Sequence, residues 1–314
     1  MSEKPMWRRV SGVCRWLLVP LVISSYALPA LALDILVTND DGYQAKGIQV
    51  LADTLEAAGH NVLLVAPLEN QSGTGGKFNA HFGEPTSYTE FAPGRYYVPG
   101  SPVDATLMGL HIIGPEQGLF GDDNKPDLVV SGINRGGNAG ILTNHSGTVA
   151  AAMRGVREGV PSIAVSAGMD ISEASQGFPS TDEAYPKIAN LVVKMINTLD
   201  EKNGDRERLL PLGMGLNVNW PVALPEGEEN PLGIRFTRIT NTTVFNLGPV
   251  RQDDGSLIIH LLPNNDLLED DPSTAEGDLF IEGYVTISTI DANIEARRVK
   301  RDLSQVRLEG LDLQ

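Results

Sequence analysis

From Asp34 onward, short apolar runs alternate with stretches of helical periodicity. Ile35-Leu36-Val37, Val62–Ala66, Asp127–Val130 and Ile163–Val165 are too short and too rich in β-branched residues for helices, so they predict strands. Between them, residues 45–58 set Ile48, Leu51, Ala52 and Leu55 on one face and stop at Gly59, as an amphipathic helix does. Residues 146–158 open with Ser146, able to cap free amides, and continue in helix-forming alanines. Residues 183–199 gather Ile188, Leu191, Val192, Met195 and Ile196 into an apolar stripe that predicts a core helix. The alternation predicts an α/β fold: a Rossmann-like, mostly parallel sheet flanked by helices.

After Asn203-Gly204 the pattern changes. "GLNVNWP" predicts a strand, and "GIRFTRIT", "SLIIHLLP" and "LFIEGYVTISTI" predict antiparallel strands separated by Gly, Asn, Asp and Pro. The acidic stretch "NNDLLEDDPSTAEGD" predicts an exposed loop, because like charges this dense favour solvent. Residues 295–310 predict a terminal helix. The chain therefore divides into a leader at 1–32 and one domain at 33–314, with a core at 33–221 and a β-rich extension at 222–314.

The leader reading rests on order. Lys4, Arg8, Arg9 and Arg15 precede an uncharged run from Trp16 to Leu33 that contains Ala30-Leu31-Ala32, the arrangement of a secretory signal with its cleavage site. Pro20 and Pro29 oppose a spanning helix, so no stable membrane anchor is expected and the mature protein is expected in the periplasm or outside the cell. Cleavage would also remove Cys14, the single cysteine, which excludes thiol nucleophiles and thiolate-bound metals from the mature chain.

With 41% hydrophobic and 20% charged residues among 314, the chain can build a large core. Its net charge of −16 repels a phosphate backbone, which excludes polymeric nucleic acid as a partner. A small anion held by a metal ion remains compatible.

The chemistry gathers where strands end. The first strand runs into Asn39-Asp40-Asp41-Gly42, the second into Glu69-Asn70-Gln71-Ser72-Gly73, and the third into Ser131-Gly132-Ile133-Asn134 and "RGGNAG". In an open parallel sheet such exits converge on one crevice at the carboxyl edge. Asp41-Gly42 is also a common turn dipeptide, but three turns rich in oxygen donors together suit a hard divalent cation such as Mg2+, Mn2+ or Ca2+. Ser146-Gly147-Thr148 then opens a helix, whose free amides suit phosphate. The glycine-rich loop before it matches neither the dinucleotide nor the Walker pattern.

The segments "ILVTNDDGYQAKGI", "VAPLENQSGTG", "GSPVDAT", "DLVVSGINRGGNAG", "HSGTVAAAMRG", "PSIAVS" and "NVNWP" stand in the order and approximate spacing of the SurE-type nucleotidases. The chain resembles that family from Ile35 to Pro221, and "EGYVTISTI" resembles its late G-Y-V-S-I-T-P-L strand more loosely. The resemblance implies a phosphomonoesterase acting on nucleoside 5′- and 3′-monophosphates, with short polyphosphate as a further candidate substrate. It implies one divalent ion, Mg2+ or Mn2+, with Ca2+ as an occupant in crystals. Asp40, Asp41, Ser72 and Asn134 match the metal ligands, and Asn138, Ser146, Gly147 and Thr148 match the phosphate side. Asn39 and Gly73 support those turns next to substrate, and Asp40, Asp41, Asn138 and Ser146 are the implied catalytic set. A homodimer or homotetramer using the C-terminal segment is implied as well. Where the family has G-D-D-V-x-Y-S-G-T, this chain has "GILTNHSGT", placing His145 at the Tyr position. Two other readings of the same residues stay open: an aspartyl-phosphate route through Asp40 or Asp41, and a non-catalytic exported nucleotide- or phosphate-binding protein.

Overall fold

The computed structural model describes residues 32–79, 83, 85–121, 124–203, 208–240, 246–262, 273–293 and 306. Its strands are β1 (Asp34–Thr38), β2 (Asn61–Pro67), β3 (Thr89–Ala92), β4 (Arg95–Val98), β5 (Leu128–Arg135), β6 (Ser162–Ala167), β7 (Met214–Trp220), β8 (Ile234–Thr237), β9 (Asn246–Arg251), β10 (Leu257–Leu262) and β11 (Val285–Asp291). The helices are α1 (Lys46–Ala57), α2 (Pro102–Met108), α3 (Gly114–Gln117), α4 (Gly147–Arg157), α5 (Pro179–Asn203) and α6 (Glu276–Ile281). Among the described residues, none forms a helix long and apolar enough to cross a membrane.

Nine strands form one sheet in the order β3-β4-β2-β1-β5-β6-β7-β11-β8. The neighbours β4 to β7 along that order pair in parallel, and antiparallel pairing joins β3 to β4 and β11 to β7. The four strands read from the first half of the chain, β1, β2, β5 and β6, lie at its centre, where both faces are covered. Ile35, Val37, Leu64, Val130 and Val165 enter one core with Ile48, Leu51 and Leu55 of α1 and Ile188, Val192 and Ile196 of α5. Leu36, Leu63, Val65 and Val129 enter the opposite core, with Ala105 of α2. Burial on both faces is why these strands read as continuous apolar runs rather than alternating ones. Leu51 is wholly buried, so Leu51→Ala would cost about 2–5 kcal/mol in lost burial and cavity.

The helices expected at 45–58, 146–158 and 183–199 are α1, α4 and α5. Other expectations need correction. Ser131-Gly132-Ile133-Asn134 is not a turn but the second half of β5, where the register against β6 shifts between Ser131 and Asn134. Gly132 permits this: its φ is +138°, and a Cβ there would lie 2.2 Å from the Val165 carbonyl oxygen. "LFIEGYVTISTI" is not one strand, since Leu279-Phe280-Ile281 ends α6 and only Val285 onward is β11. β8 pairs with β11 in parallel, not antiparallel. β10 is antiparallel as expected, to the unpredicted β9, in a separate two-stranded sheet. The acidic stretch is not uniformly exposed, because Glu276 at the start of α6 is fully buried. The leader and the 295–310 helix lie outside the described residues, apart from Val306.

Candidate active site

The chain leaves β1 for β2 on one side and returns to β5 on the other, so the strand order reverses between β1 and β5. At such a switch point the loops leaving the carboxyl ends part and open a crevice. Asn39-Asp40-Asp41-Gly42 follows β1, and Asn134 and Asn138 lie at and beyond the end of its neighbour β5.

Asp40 is buried, 3% exposed, and meets the start of α4. Thr148 Oγ1 donates to Asp40 Oδ1 at 2.5 Å, while Ser146 Oγ caps α4 by accepting from Val149 N at 3.0 Å. Gly147 allows the close approach: a Cβ there would stand 2.7 Å from Asp40 Cβ and 2.8 Å from Oδ2. Burial raises the Asp40 carboxyl above the ordinary range, outweighing the Thr148 hydroxyl and the backbone N–H groups of Thr148 and Gly147, which favour the anion. Asp41 is pushed up to about 6, first by burial and next by the Asp40 charge; the Arg135 N–H, donated to its Oδ2 at 2.9 Å, opposes this.

The other candidate ligands lie on the β1 and β2 exits and at the end of β5. Asn39 is buried and closes its turn by donating Nδ2 to Gly42 O at 2.9 Å, while its Oδ1 finds no hydrogen-bond partner among the described residues. Asn134, also buried, donates Nδ2 to Gly136 O at 2.6 Å. Ser72 and Gly73 lie on an exposed turn fastened to the site by Gln71 N, which donates to Asp40 O at 2.7 Å. Gly75 N donates to His145 O at 3.1 Å, joining this turn to the approach to α4; His145 itself is exposed.

Asn138 belongs to a buried polar cluster that the sequence reading did not find. Its Nδ2 donates to Ser166 Oγ at 2.8 Å and its backbone N–H to Asn219 Oδ1 at 2.7 Å. Its carbonyl accepts from Asn217 Nδ2 at 3.0 Å and Thr143 Oγ1 at 3.0 Å. Behind these stands Glu276: Oε1 accepts from Asn217 Nδ2 at 3.0 Å, Ser288 Oγ at 2.9 Å and Asn219 Nδ2 at 3.3 Å, and Oε2 accepts from Gly140 N at 2.9 Å. Burial pushes the Glu276 carboxyl up to about 7 against the pull of those four donors. A signal for this cluster exists in "NVNW", where Asn217 and Asn219 share one face of a strand that is otherwise apolar.

Comparison with known proteins bears on this geometry. The family model for "Survival protein SurE" matches residues 35–246. The chain belongs to the SurE family. The "5'-nucleotidase SurE" of Pelotomaculum thermopropionicum is 32% identical over 279 residues, 87% of this chain and 94% of that protein. The protein of the same name from Gloeobacter violaceus is 40% identical over 209 residues, 65% of this chain and 69% of its own length. A crystal structure of SurE protein from Aquifex aeolicus superposes with a TM-score of 0.65 at 28% identity, covering 87% of this chain and 99% of that one. The mostly parallel sheet with its C-terminal antiparallel part is thus a SurE fold.

The SurE residues at the switch point fit a hard divalent cation. Two adjacent carboxylates, Asp40 buried and Asp41 half-buried, stand beside the Asn39 amide oxygen, which has no hydrogen-bond partner among the described residues, and burial without sufficient counter-charge drives both carboxyls upward. Among the described residues no group of three or more His, Cys, Asp and Glu gathers to hold a metal, so the donor set is two carboxylates plus neutral oxygens. That set suits Mg2+ or Mn2+ better than zinc.

Proposed function

We propose that the chain is a divalent-metal-dependent phosphomonoesterase that hydrolyses nucleoside 5′- and 3′-monophosphates to nucleoside and phosphate. The observation that carries this reading is buried Asp40, with half-buried Asp41 beside it, facing the start of α4 at the switch point of the sheet. The names of the relatives, 5'-nucleotidase SurE, support the substrate class.

Asp40, Asp41, Asn134 and Ser72 would hold the cation, which supplies positive charge to polarise a phosphate oxygen and acidify water. Thr148 and the first amides of α4 orient Asp40 and favour its anion against the effect of burial. The Arg135 N–H holds Asp41 from the opposite side. Ser146 fixes the first turn of α4, and Asn138 presents its loop from a buried hydrogen-bonded cluster. Burial of the carboxylates excludes competing water and strengthens each of these contacts.

The deciding assay is phosphate release from AMP by purified protein with Mn2+ or Mg2+, with an EDTA control. Turnover abolished by chelation and restored by metal supports the phosphatase. Saturable AMP binding without phosphate release supports a binding protein, and an acid-stable protein-bound phosphate in rapid quench supports the aspartyl-phosphate route. Export belongs to the same proposal, supported by the leader pattern at 1–32. Mass spectrometry of periplasmic material beginning at Leu33 supports it, and retention of Arg15 in membranes overturns it.

A further inference from the structure

Among the described residues Glu276 is the one fully buried carboxylate of the C-terminal extension, and it lies at the hub of four elements: α6, which carries it, β7 through Asn217 and Asn219, β11 through Ser288, and the loop after β5 through Gly140. A buried carboxylate destabilises a fold unless its acceptor sites are filled. Here both oxygens are engaged, and every donor is neutral. The chain of contacts extends outward, since Thr237 of β8 lies 2.8 Å from Ser288 Oγ through its own hydroxyl.

The direction of the contacts matters. Asn217 Nδ2 is shared between Glu276 Oε1 and the Asn138 carbonyl, both at 3.0 Å, and Asn219 spans the same two partners while its Oδ1 receives the Asn138 N–H at 2.7 Å. Two residues along, Glu276 Oε2 takes the Gly140 N–H directly. The carboxylate thus sets the rotamers of both asparagines and pins the loop on either side of Ala139. The Phe280 ring, on the same short helix, fills the space beside Gly137, where a Cβ would approach to 2.8 Å.

We infer that Glu276 is a positioning residue for substrate: through Asn217, Asn219 and Gly140 it fixes the Asn138 loop against the start of α4. This rests on the phosphatase reading and adds to it a residue from outside the strand exits. Glu276→Gln is informative because an amide must place an NH2 where an oxygen stood. It then faces either the Gly140 N–H or the three donors to Oε1, and one end of the hub is lost.

The experiment compares parent and Glu276→Gln by steady-state AMP hydrolysis with Mn2+ and by hydrogen exchange of the peptide spanning 136–146. We expect kcat/KM to fall by about ten-fold or more, with exchange in that peptide accelerated, while half-activation by Mn2+ stays within about two-fold because Asp40 and Asp41 are not attached to the hub. Unchanged exchange, or accelerated exchange with kcat/KM unaltered where the variant is folded, overturns the inference. So does a shift in Mn2+ half-activation as large as the loss in kcat/KM, which would mean general distortion. Should Glu276→Gln not fold, Ser288→Ala removes one donor to Oε1 and should act in the same direction by about three-fold, and no change in either readout overturns the inference. A parent chain that hydrolyses no AMP removes the phosphatase reading instead, and exchange at 136–146 then decides the positioning by itself.

Discussion

Thr148, at the start of α4, donates its hydroxyl to the Asp40 carboxylate after β1 at 2.5 Å, across 108 positions of sequence. Both groups are buried, so the bond is a charge-assisted one with no water to replace it. Thr148 therefore acts on the reaction through Asp40, and its effect should pass through metal affinity. Thr148→Val keeps the shape and deletes the donor. It should weaken Mn2+ binding by about ten- to a hundred-fold, corresponding to about 1.5–3 kcal/mol for a hydrogen bond to a charged group, and Thr148→Ser should retain most of the affinity. Calorimetric titration of Mn2+ into the three proteins checks this.

Asp40→Asn and Asp41→Asn should each abolish stabilisation by Mn2+ while leaving the metal-free protein as stable as the parent or more so at neutral pH. The reason is that burial raises both carboxyls and the Asp40 charge raises Asp41 further, so two ionised groups side by side cost folding energy until a cation binds. Thermal melts with and without Mn2+ read the outcome. Retained Mn2+ stabilisation in either variant would place the metal elsewhere.

Gly147→Ala should damage the site without touching a donor. Its Cβ would fall 2.7 Å from Asp40 Cβ, so α4 or the β1 exit must move. Overpacking of this kind costs about 1–3 kcal/mol of stability, and AMP turnover should fall further than the melting temperature suggests. Parallel melting curves and initial rates test the claim.

Glu276 makes stability depend on pH in an unusual direction. Its folded-state carboxyl sits at about 7 against an ordinary 4.5, so the folded protein holds the extra proton between those values. The stabilising contribution is fully present below about 4.5 and is lost as pH rises through 7, on the order of 3 kcal/mol in total. Denaturant unfolding at pH 5, 6 and 7 in EDTA should show a steeper decline for the parent than for Glu276→Gln. Equal slopes would show that Glu276 does not titrate in this window.

The central sheet was readable because strands buried on both faces leave unbroken apolar runs such as Ile35-Leu36-Val37, and three of them end in polar turns whose convergence follows from parallel topology alone. Asp40, Asp41 and the Ser146 cap could be located that way. The edge pair β3 and β4 could not, since "TEFA" and "RYYV" are four-residue strands whose alternation has no room to show. Leu279-Phe280-Ile281 merges into the apolar strand after it, so a helix of six residues reads as sheet. Glu276 was hidden for a deeper reason. It stands in an acidic stretch of sequence that reads as a solvated loop, whereas its burial is set by Asn217, Asn219 and Gly140, residues far away along the chain.

The order in which β11 joins the sheet has a consequence for biosynthesis. β11 inserts between β7 and β8, although it is the last strand described. A ribosome therefore delivers β1 to β7 while the far edge of β7 still has no neighbour, and β8 cannot dock until the residues that separate it from β7 have emerged. Such an open edge invites pairing with other nascent chains. The same delay withholds Glu276 and Ser288 from Asn217 and Asn219, so the loop carrying Asn138 is fastened only after α6 and β11 have emerged. A chain truncated before Glu276 should keep its parallel core and its aspartate pair while leaving that loop unanchored.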